Sequence, residues 1–179
     1  IIKPTLDAMK DQGTPYSGVL YAGLMISKGK PKLIEYNVRF GDPEAQAILP
    51  RLKTDLLDLL FACSQGKLHQ FKSLKWDDNY CMNVVMASKG YPGPFEKGTK
   101  IKNLSQVDAI DDVTVFHSGT KSLDNQLVAN GGRVLGVTAL GNTIQEAQSR
   151  AYKAVDKIDW PNGFCRRDIG WRAITREPN

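Results

Sequence analysis

The 179-residue sequence predicts an α+β fold, in which a hairpin with helices is followed by a strand-rich unit. Two largely apolar runs flank a turn at residues 28–31, which indicates a β-hairpin near the amino end. Near the other end, Thr143 is followed by Glu146 three positions later, a capping box that opens a long helix. The composition, with 41% hydrophobic residues, is typical of a globular protein.

The first unit is predicted from apolar patterning and from the glycines at element ends. Its expected elements are, in order, the end of a helix at 5–10, strands at 17–27 and 32–40, a helix at 44–49 and a helix from Thr54 to Gly66. The first strand is almost continuously apolar, whereas the second alternates as a half-exposed strand does. Gly13 suits the C-cap of the first helix, and Thr54 can cap the last. We expect this unit to span residues 1–68.

The second unit is expected over residues 69–175, with a tail at 176–179. Its predicted elements are strands at 80–87, 113–117, 127–130 and 133–140 and a helix at 143–158. The Gly131-Gly132 pair separates the last two strands, which predicts that they form a hairpin through a two-residue turn.

Charge and cysteine usage limit the classes of partner. The formal net charge is +5, but Lys and Arg are spread along the chain without a basic run, so we expect phosphate-bearing small molecules rather than nucleic acid or a membrane. The chain lacks a CxxC pair, so neither a zinc site nor a disulfide framework is expected. No apolar run reaches the roughly 18 residues of a membrane span, and no signal peptide is recognisable at a start that lacks Met. We therefore expect a cytoplasmic protein, either a fragment or a processed chain.

The segment at residues 35–42 carries the residue types of a chemical site. On a strand, side chains alternate faces, so Glu35, Asn37 and Arg39 are expected on one face, with apolar residues on the packing face. A carboxylate beside a carboxamide can bind a hard cation, and an arginine fork can bind a phosphoryl group. Asp42 follows in a turn, where its carboxylate could meet an ammonium group. A solvated strand face has the same pattern, and spacing alone favours that interpretation.

A series of longer segments carries a family resemblance. They are YSGVLYAGLM at 16–25, IEYNVRFGDPEAQAILPRLKTDLL at 34–57, KGYPGPFEKG at 89–98, FHSGT at 116–120, NGGRVLGVTALG at 130–141 and RRDIGWRA at 166–173. Together these segments resemble, in the same order, the glycinamide ribonucleotide synthetases of the ATP-grasp superfamily. The resemblance covers about residues 1–174, and a series of this length is far more specific than any single motif.

The resemblance implies a fold and a reaction. The fold is the C-terminal half of an ATP-grasp domain, a hairpin with helices, followed by a small strand-rich C-terminal domain. The family joins 5-phosphoribosylamine to glycine through glycyl phosphate in purine biosynthesis and splits ATP to ADP and phosphate. By position, Glu35 and Asn37 would bind Mg²⁺, or Mn²⁺, on the ATP phosphates, and Arg39 would be the catalytic residue that stabilises the transferring phosphoryl group. Asp42, with Arg39, would hold glycine.

The closing Arg166-Arg167-Asp168 run has two open interpretations. It resembles a family signature, so Arg167 could bind the phosphate or ribose of the substrate. The same residues could equally close the domain through salt bridges. His117, near a strand end, is interpreted as structural rather than catalytic, because it has no evident base or metal partner.

Family members extend much further at the amino end, where the remaining ATP-binding elements lie. We therefore expect this chain alone to bind ATP weakly and not to turn over, and to need that N-terminal half as part of a longer parent or as a second chain. The strand at 19–24 lacks the carboxylate that many ATP-grasp enzymes place there, which puts a two-metal site in doubt. A non-catalytic interaction module and another ATP-grasp ligase or carboxylase are the alternatives.

Overall fold

The computed structural model describes residues 1–176 and divides the chain into two compact units. The first unit consists of residues 1–45 and 52–76, and the second of residues 46–51 together with the chain from Asp77 onward. The α+β fold class is confirmed, since strands and helices occur in both units. The boundary expected after residue 68 stays a prediction. Within the described residues, no helix is long and apolar enough to span a bilayer.

The amino-terminal part of the chain contains one hairpin and several helices. Its elements are, in order, α1 (Ile2–Asp11), β1 (Tyr21–Ser27), β2 (Lys30–Asn37), α2 (Ala45–Ile48), a 3-10 turn (Leu49–Arg51), α3 (Leu56–Ser64) and a second 3-10 turn (Leu68–Gln70). Strands β1 and β2 pair antiparallel around Lys28 and Gly29, whose φ values are 51° and 73°. Two consecutive left-handed residues make the tight turn whose twist matches the flanking strands.

The hairpin contains a β-bulge that its sequence pattern did not reveal. Gly23 pairs with Glu35, whereas the next residue, Leu24, pairs with Leu33. Ile34 is therefore the extra residue on β2, as in a bulge where two residues oppose one. The strict alternation expected over 32–40 is interrupted at this position.

Two boundary predictions in this part of the chain are wrong. Strand β2 ends at Asn37, so Arg39 lies beyond the strand and does not share its face. The N-cap of α3 is Asp55 rather than Thr54, because Asp55 Oδ1 accepts hydrogen bonds from the backbone nitrogens of Leu57 (2.7 Å) and Asp58 (3.3 Å). Thr54 Oγ1 instead accepts from the backbone nitrogen of Lys75 at 2.7 Å, a contact distant in sequence.

The second unit is built on a four-stranded antiparallel sheet in the order β4-β7-β3-β8. Its elements are β3 (Tyr80–Ser88), α4 (Leu104–Asp108), β4 (Val113–His117), β5 (Thr120–Leu123), β6 (Gln126–Ala129), β7 (Arg133–Gly141), α5 (Ile144–Val155), β8 (Gly163–Phe164) and α6 (Trp171–Ile174). The core lies between this sheet and α5, where Val84, Leu135 and Val137 are 0% exposed. Burial of this kind provides most of the stability of a small unit.

The hairpin predicted through Gly131-Gly132 is wrong. Strand β6 pairs with β5, and β7 pairs with β3 and β4, so the two glycines connect strands of different sheets. The actual two-residue turn is Asp124-Asn125, with φ values of 48° and 57°. Asp and Asn tolerate left-handed backbone better than other residues with a Cβ, which explains why this turn needs no glycine.

The predicted cap of the long helix is confirmed. Thr143 is the N-cap of α5, and its Oγ1 accepts from the backbone nitrogen of Glu146 at 3.0 Å. The Glu146 carboxylate reaches back one residue further than in the usual capping box, to the backbone nitrogen of Asn142 at 2.8 Å. The helix ends at Val155, three residues before the predicted end.

Candidate functional site

Glu35 and Asn37 lie together near the end of β2. Asn37 Nδ2 donates to Glu35 Oε1 at 3.1 Å, so the two side chains meet on one face of the hairpin. Across the strands, Glu35 pairs with Gly23 and Asn37 pairs with Tyr21. The structure therefore places a carboxylate and a carboxamide side by side, as the strand period predicted.

Tyr21 and Glu44 were missed by the sequence interpretation. The Tyr21 hydroxyl donates to Glu44 Oε1 at 3.0 Å. This hydrogen bond, with smaller contributions from burial and from the charges of Glu44 and Glu35, raises the pKa of Tyr21. Tyr21 is thus close to two carboxylates. No signal in the sequence indicated Tyr21, because its pairing with Asn37 depends on the bulge at Ile34, which the pattern does not reveal.

The turn after β2 is closed around Glu44. The Ala45 backbone nitrogen donates to the Gly41 carbonyl oxygen at 2.9 Å. A Cβ at Gly41 would collide with the Glu44 carboxylate, so only glycine lets this side chain keep its place beside Tyr21.

Arg39 lies beyond the end of β2, and Asp42 lies in the turn that follows. Arg39 is exposed, and within residues 1–176 its hydrogen bond is to the carbonyl oxygen of Phe40, from Nη1 at 2.9 Å. Asp42 is an exposed residue of the turn. The roles assigned to these two residues stay predictions.

The closing arginines of the second unit both form ion pairs. Arg166 binds Asp168 with two nitrogens, Nε at 2.9 Å and Nη2 at 2.7 Å, and these bonds hold the pKa of Asp168 below its usual value. Arg167 Nη1 lies 2.6 Å from Asp156 Oδ1, and its guanidinium carbon lies 5.5 Å from the centre of the Tyr152 ring. Arg166 therefore fits the salt-bridge interpretation, with two bonds to one carboxylate, better than Arg167, which contacts Asp156 through one nitrogen.

His117 lies at the end of β4 and is exposed. Its Nδ1 is 3.0 Å from Thr120 Oγ1, at the start of β5. This contact joins two neighbouring strand ends, as a structural histidine does.

Comparison with known families identifies both parts of the chain. Residues 81–172, just over half of the chain, match the family described as "Phosphoribosylglycinamide synthetase, C domain". Residues 1–45 match "Phosphoribosylglycinamide synthetase, ATP-grasp (A) domain". The chain belongs to the phosphoribosylglycinamide synthetase family. The resemblance stated from the sequence motifs is therefore confirmed, and the fold is that of the ATP-grasp (A) and C domains of phosphoribosylglycinamide synthetase.

Relatives with curated names extend the match over almost the whole chain. Proteins named phosphoribosylamine–glycine ligase are 54% identical in Agrobacterium fabrum and 56% identical in Mesorhizobium japonicum, each over 99% of this chain and 41% of the relative. The crystal structure of the phosphoribosylamine–glycine ligase of Thermotoga maritima is 33% identical, with a TM-score of 0.79 over 92% of this chain and 40% of that one. The chain thus spans about two fifths of the length of these relatives.

Proposed function

We propose that the chain is part of a phosphoribosylamine–glycine ligase, which joins glycine to 5-phosphoribosylamine while ATP is split to ADP and phosphate. The supporting observation is the family match over both units, together with relatives of that name at more than half identity. The reaction proceeds through glycyl phosphate and supplies purine biosynthesis in the cytoplasm. Small molecules, rather than nucleic acid or a membrane, are the partners of this activity.

Glu35 and Asn37 hold Mg²⁺ in this proposal. The donor set fits the ion, because the Glu35 carboxylate and the Asn37 Oδ1 are oxygen ligands of the kind that Mg²⁺ prefers. The two side chains lie side by side, since Asn37 Nδ2 donates to Glu35 Oε1 at 3.1 Å. Two protein ligands suffice, since Mg²⁺ usually takes its others from nucleotide phosphates and water. When bound there, the ion neutralises charge on the phosphates of ATP. Tyr21 and Glu44 support the same end of the hairpin, since Tyr21 pairs with Asn37.

Substrate contacts are assigned to three further residues. Arg39 stabilises the transferring phosphoryl group and, with Asp42, holds glycine at its carboxylate and ammonium ends. Both residues lie after the end of β2 and are themselves exposed, so they are accessible to small molecules. Arg167, in the second unit, binds the phosphate of 5-phosphoribosylamine. No general base is assigned, because the attacking amine carries its own lone pair.

Turnover requires more chain than these 179 residues. The hairpin exposes many of its large apolar side chains, namely Leu24 (44%), Met25 (56%), Ile26 (61%), Leu33 (42%) and Ile34 (65%). An exposed apolar patch of this kind marks a surface that another part of an assembly covers. The remainder of the ligase, in the same parent chain or as a second chain, covers it, and the isolated chain binds ATP weakly and releases no ADP.

A chimeric ligase tests the proposal. In it, residues 1–179 replace the matching region of the Agrobacterium fabrum relative, and glycine-dependent ADP release is measured. Glu35→Gln should lower turnover by about 100-fold or more, since loss of one charge-stabilising group commonly costs that much. Glu96→Gln is the matched control, because this exposed carboxylate lies in a loop of the second unit and accepts from Asn162 at 3.3 Å. Full activity of the Glu35→Gln chimera would refute the site.

The alternatives give different outcomes in the same experiment. Tight binding of residues 1–179 to the remainder of the ligase without glycine-dependent ADP release would favour a non-catalytic interaction module. Stimulation of ADP release by bicarbonate instead of glycine would favour an ATP-grasp carboxylase.

A further inference from the structure

One tyrosine hydroxyl fastens the closing arginine loop to α5. Tyr152 donates from its hydroxyl to the carbonyl oxygen of Arg166 at 2.8 Å and accepts from the backbone nitrogen of Ile169 at 3.0 Å. One turn earlier on the helix, Gln148 Nε2 donates to the carbonyl oxygen of Ile169 at 2.7 Å. The backbone on both sides of Arg167 is therefore tied to the helix.

The end of the loop is fixed by close packing. Gly170 has a φ of 84°, which favours glycine, and a Cβ at this position would collide with the side chain of Met82 from the core. The loop therefore keeps this backbone conformation only with glycine at position 170.

The two arginines of the loop differ in the donors they leave accessible. Arg166 is held by Asp168 through two nitrogens, which occupies one edge of its planar fork. Within residues 1–176, Arg167 is bound by Asp156 through Nη1 alone, and its side chain is 59% exposed. Several N–H donors of Arg167 therefore face solvent, where an anion can reach them.

Asp156 stands where a carboxylate costs stability. It is the C-cap residue of α5, the end of a helix that carries partial negative charge. The compensating contact is the ion pair with Arg167 at 2.6 Å. The Tyr152 ring, 5.5 Å from the same guanidinium carbon, supports it from one side by a cation–π contact.

We propose that Tyr152 is a positioning residue that presents Arg167 to the phosphate of 5-phosphoribosylamine, and that Asp156 holds Arg167 until the phosphate displaces it. This inference rests on the proposed function. A phosphate dianion offers Arg167 more charge and more acceptor oxygens than one carboxylate, so it competes successfully for the same donors. Arg166, already paired with Asp168, keeps the loop in shape.

The test measures the KM for 5-phosphoribosylamine and for glycine in the chimeric ligase. Arg167→Gln should raise the KM for 5-phosphoribosylamine by about 10- to 100-fold, the loss expected for a charge-assisted hydrogen bond. Tyr152→Leu should raise it by about 10-fold and Tyr152→Phe by less, because phenylalanine keeps the ring and loses only the hydroxyl. Asp156→Asn should lower it by about 2- to 5-fold, since a competitor for Arg167 is removed. The KM for glycine should stay within about twofold in every variant, because no glycine contact is changed.

The matched control is Tyr80→Phe, a hydroxyl removed from an exposed tyrosine of the same unit, which should leave both KM values unchanged. If the Tyr152→Leu variant unfolds, Tyr152→Phe tests the positioning role and Asp156→Asn tests the competition for Arg167. A raised KM in Arg167→Gln with no change in either Tyr152 variant overturns the positioning role. A raised KM in Asp156→Asn overturns the competition. An unchanged KM in Arg167→Gln refutes instead the substrate role that the proposed function gives Arg167, whereas full activity of Glu35→Gln refutes the proposed site itself.

Discussion

The two units use similar antiparallel strands but differ in what covers them. No residue of β1 or β2 is buried, whereas every residue of β7 except Arg133 and Leu140 is buried. Strands β1 and β7 have comparably apolar sequences, so composition does not explain the contrast. The difference lies in the neighbours: β7 has a strand on each side and a helix against its face. An apolar strand sequence therefore indicates a surface that must be buried. Only the structure shows whether other elements of the same chain bury it.

Helix sequence accounts for part of this contrast. Helix α5 presents Ala147, Ala151 and Ala154, each 0% exposed, and these small side chains let it lie close to the sheet. Helix α3 buries only Leu59 and Ala62 and leaves Leu57 73% exposed. The second unit thus has a closed core, while the first presents apolar surface on both its hairpin and its helix.

The largest expected effect compares apolar truncations in the two units. Leu135→Ala removes a side chain that is 0% exposed and should cost about 2–5 kcal/mol of unfolding free energy through lost burial and a cavity. Ile34→Ala removes one that is 65% exposed and should cost less than about 0.5 kcal/mol. Urea unfolding of the 179-residue chain measures both. Equal losses of unfolding free energy would mean that the hairpin is buried in solution, and would contradict the difference in burial between the two units.

A smaller effect on stability is expected for a charged residue of the second unit. Arg150, on α5, binds Glu146 at 2.7 Å and Asp112 at 3.2 Å and also donates to the carbonyl oxygen of Leu140. Its side chain is only 24% exposed, so Arg150→Ala should cost about 1–2 kcal/mol by leaving that carbonyl without its charged donor. Lys153→Ala, an exposed residue of the same helix, is the control and should change stability by less than about 0.5 kcal/mol. Similar costs for both would show that the ion pairs contribute nothing beyond helix propensity.

The smallest expected effect concerns the pH dependence of Cys81, a thiol of the second unit. Burial raises the pKa of Cys81 to about 11, while the charge of Arg51 opposes the shift. Because the folded pKa is raised, the thiol's contribution to stability is complete below the ordinary thiol pKa of about 8.5 and is lost as pH rises through about 11. Alkylation of a Cys63→Ala, Cys165→Ala variant should therefore reach half of its maximal rate near pH 11. A midpoint near the ordinary thiol value would show that Cys81 is accessible to water.

Local patterns in the sequence predicted the elements whose contacts are local. The Thr143 cap and strand β4 depend on residues a few positions apart, and each was found. The hairpin turn predicted at 28–31 was also found, although it is shorter, since Lys30 and Pro31 already pair with β1. The Gly131-Gly132 pair led to a wrong hairpin prediction, because the partner of a strand depends on the whole sheet and not on the turn residues. Thr54 was wrongly predicted as the helix cap for a similar reason, since its hydroxyl oxygen accepts from the backbone nitrogen of Lys75, which is distant in sequence.

The candidate site divides in the same way. The contact of Glu35 with Asn37 follows from the strand period and was predicted. The Tyr21–Glu44 contact joins residues 23 positions apart and depends on the turn after β2, so spacing could not show it. Arg39 was placed on the strand because the alternation continues past Asn37, although pairing with β1 has already ended there.

The bulge at Ile34 has a consequence for how this hairpin can vary in evolution. Residues 30–33 pair with 24–27 and residues 35–37 pair with 21–23, so Ile34 has no cross-strand partner of its own. The registers of the two ladders differ by this one residue, so its deletion would make them continuous and would leave every existing pair intact. The hairpin can therefore lose this residue while the carboxylate and the carboxamide at its base keep their places.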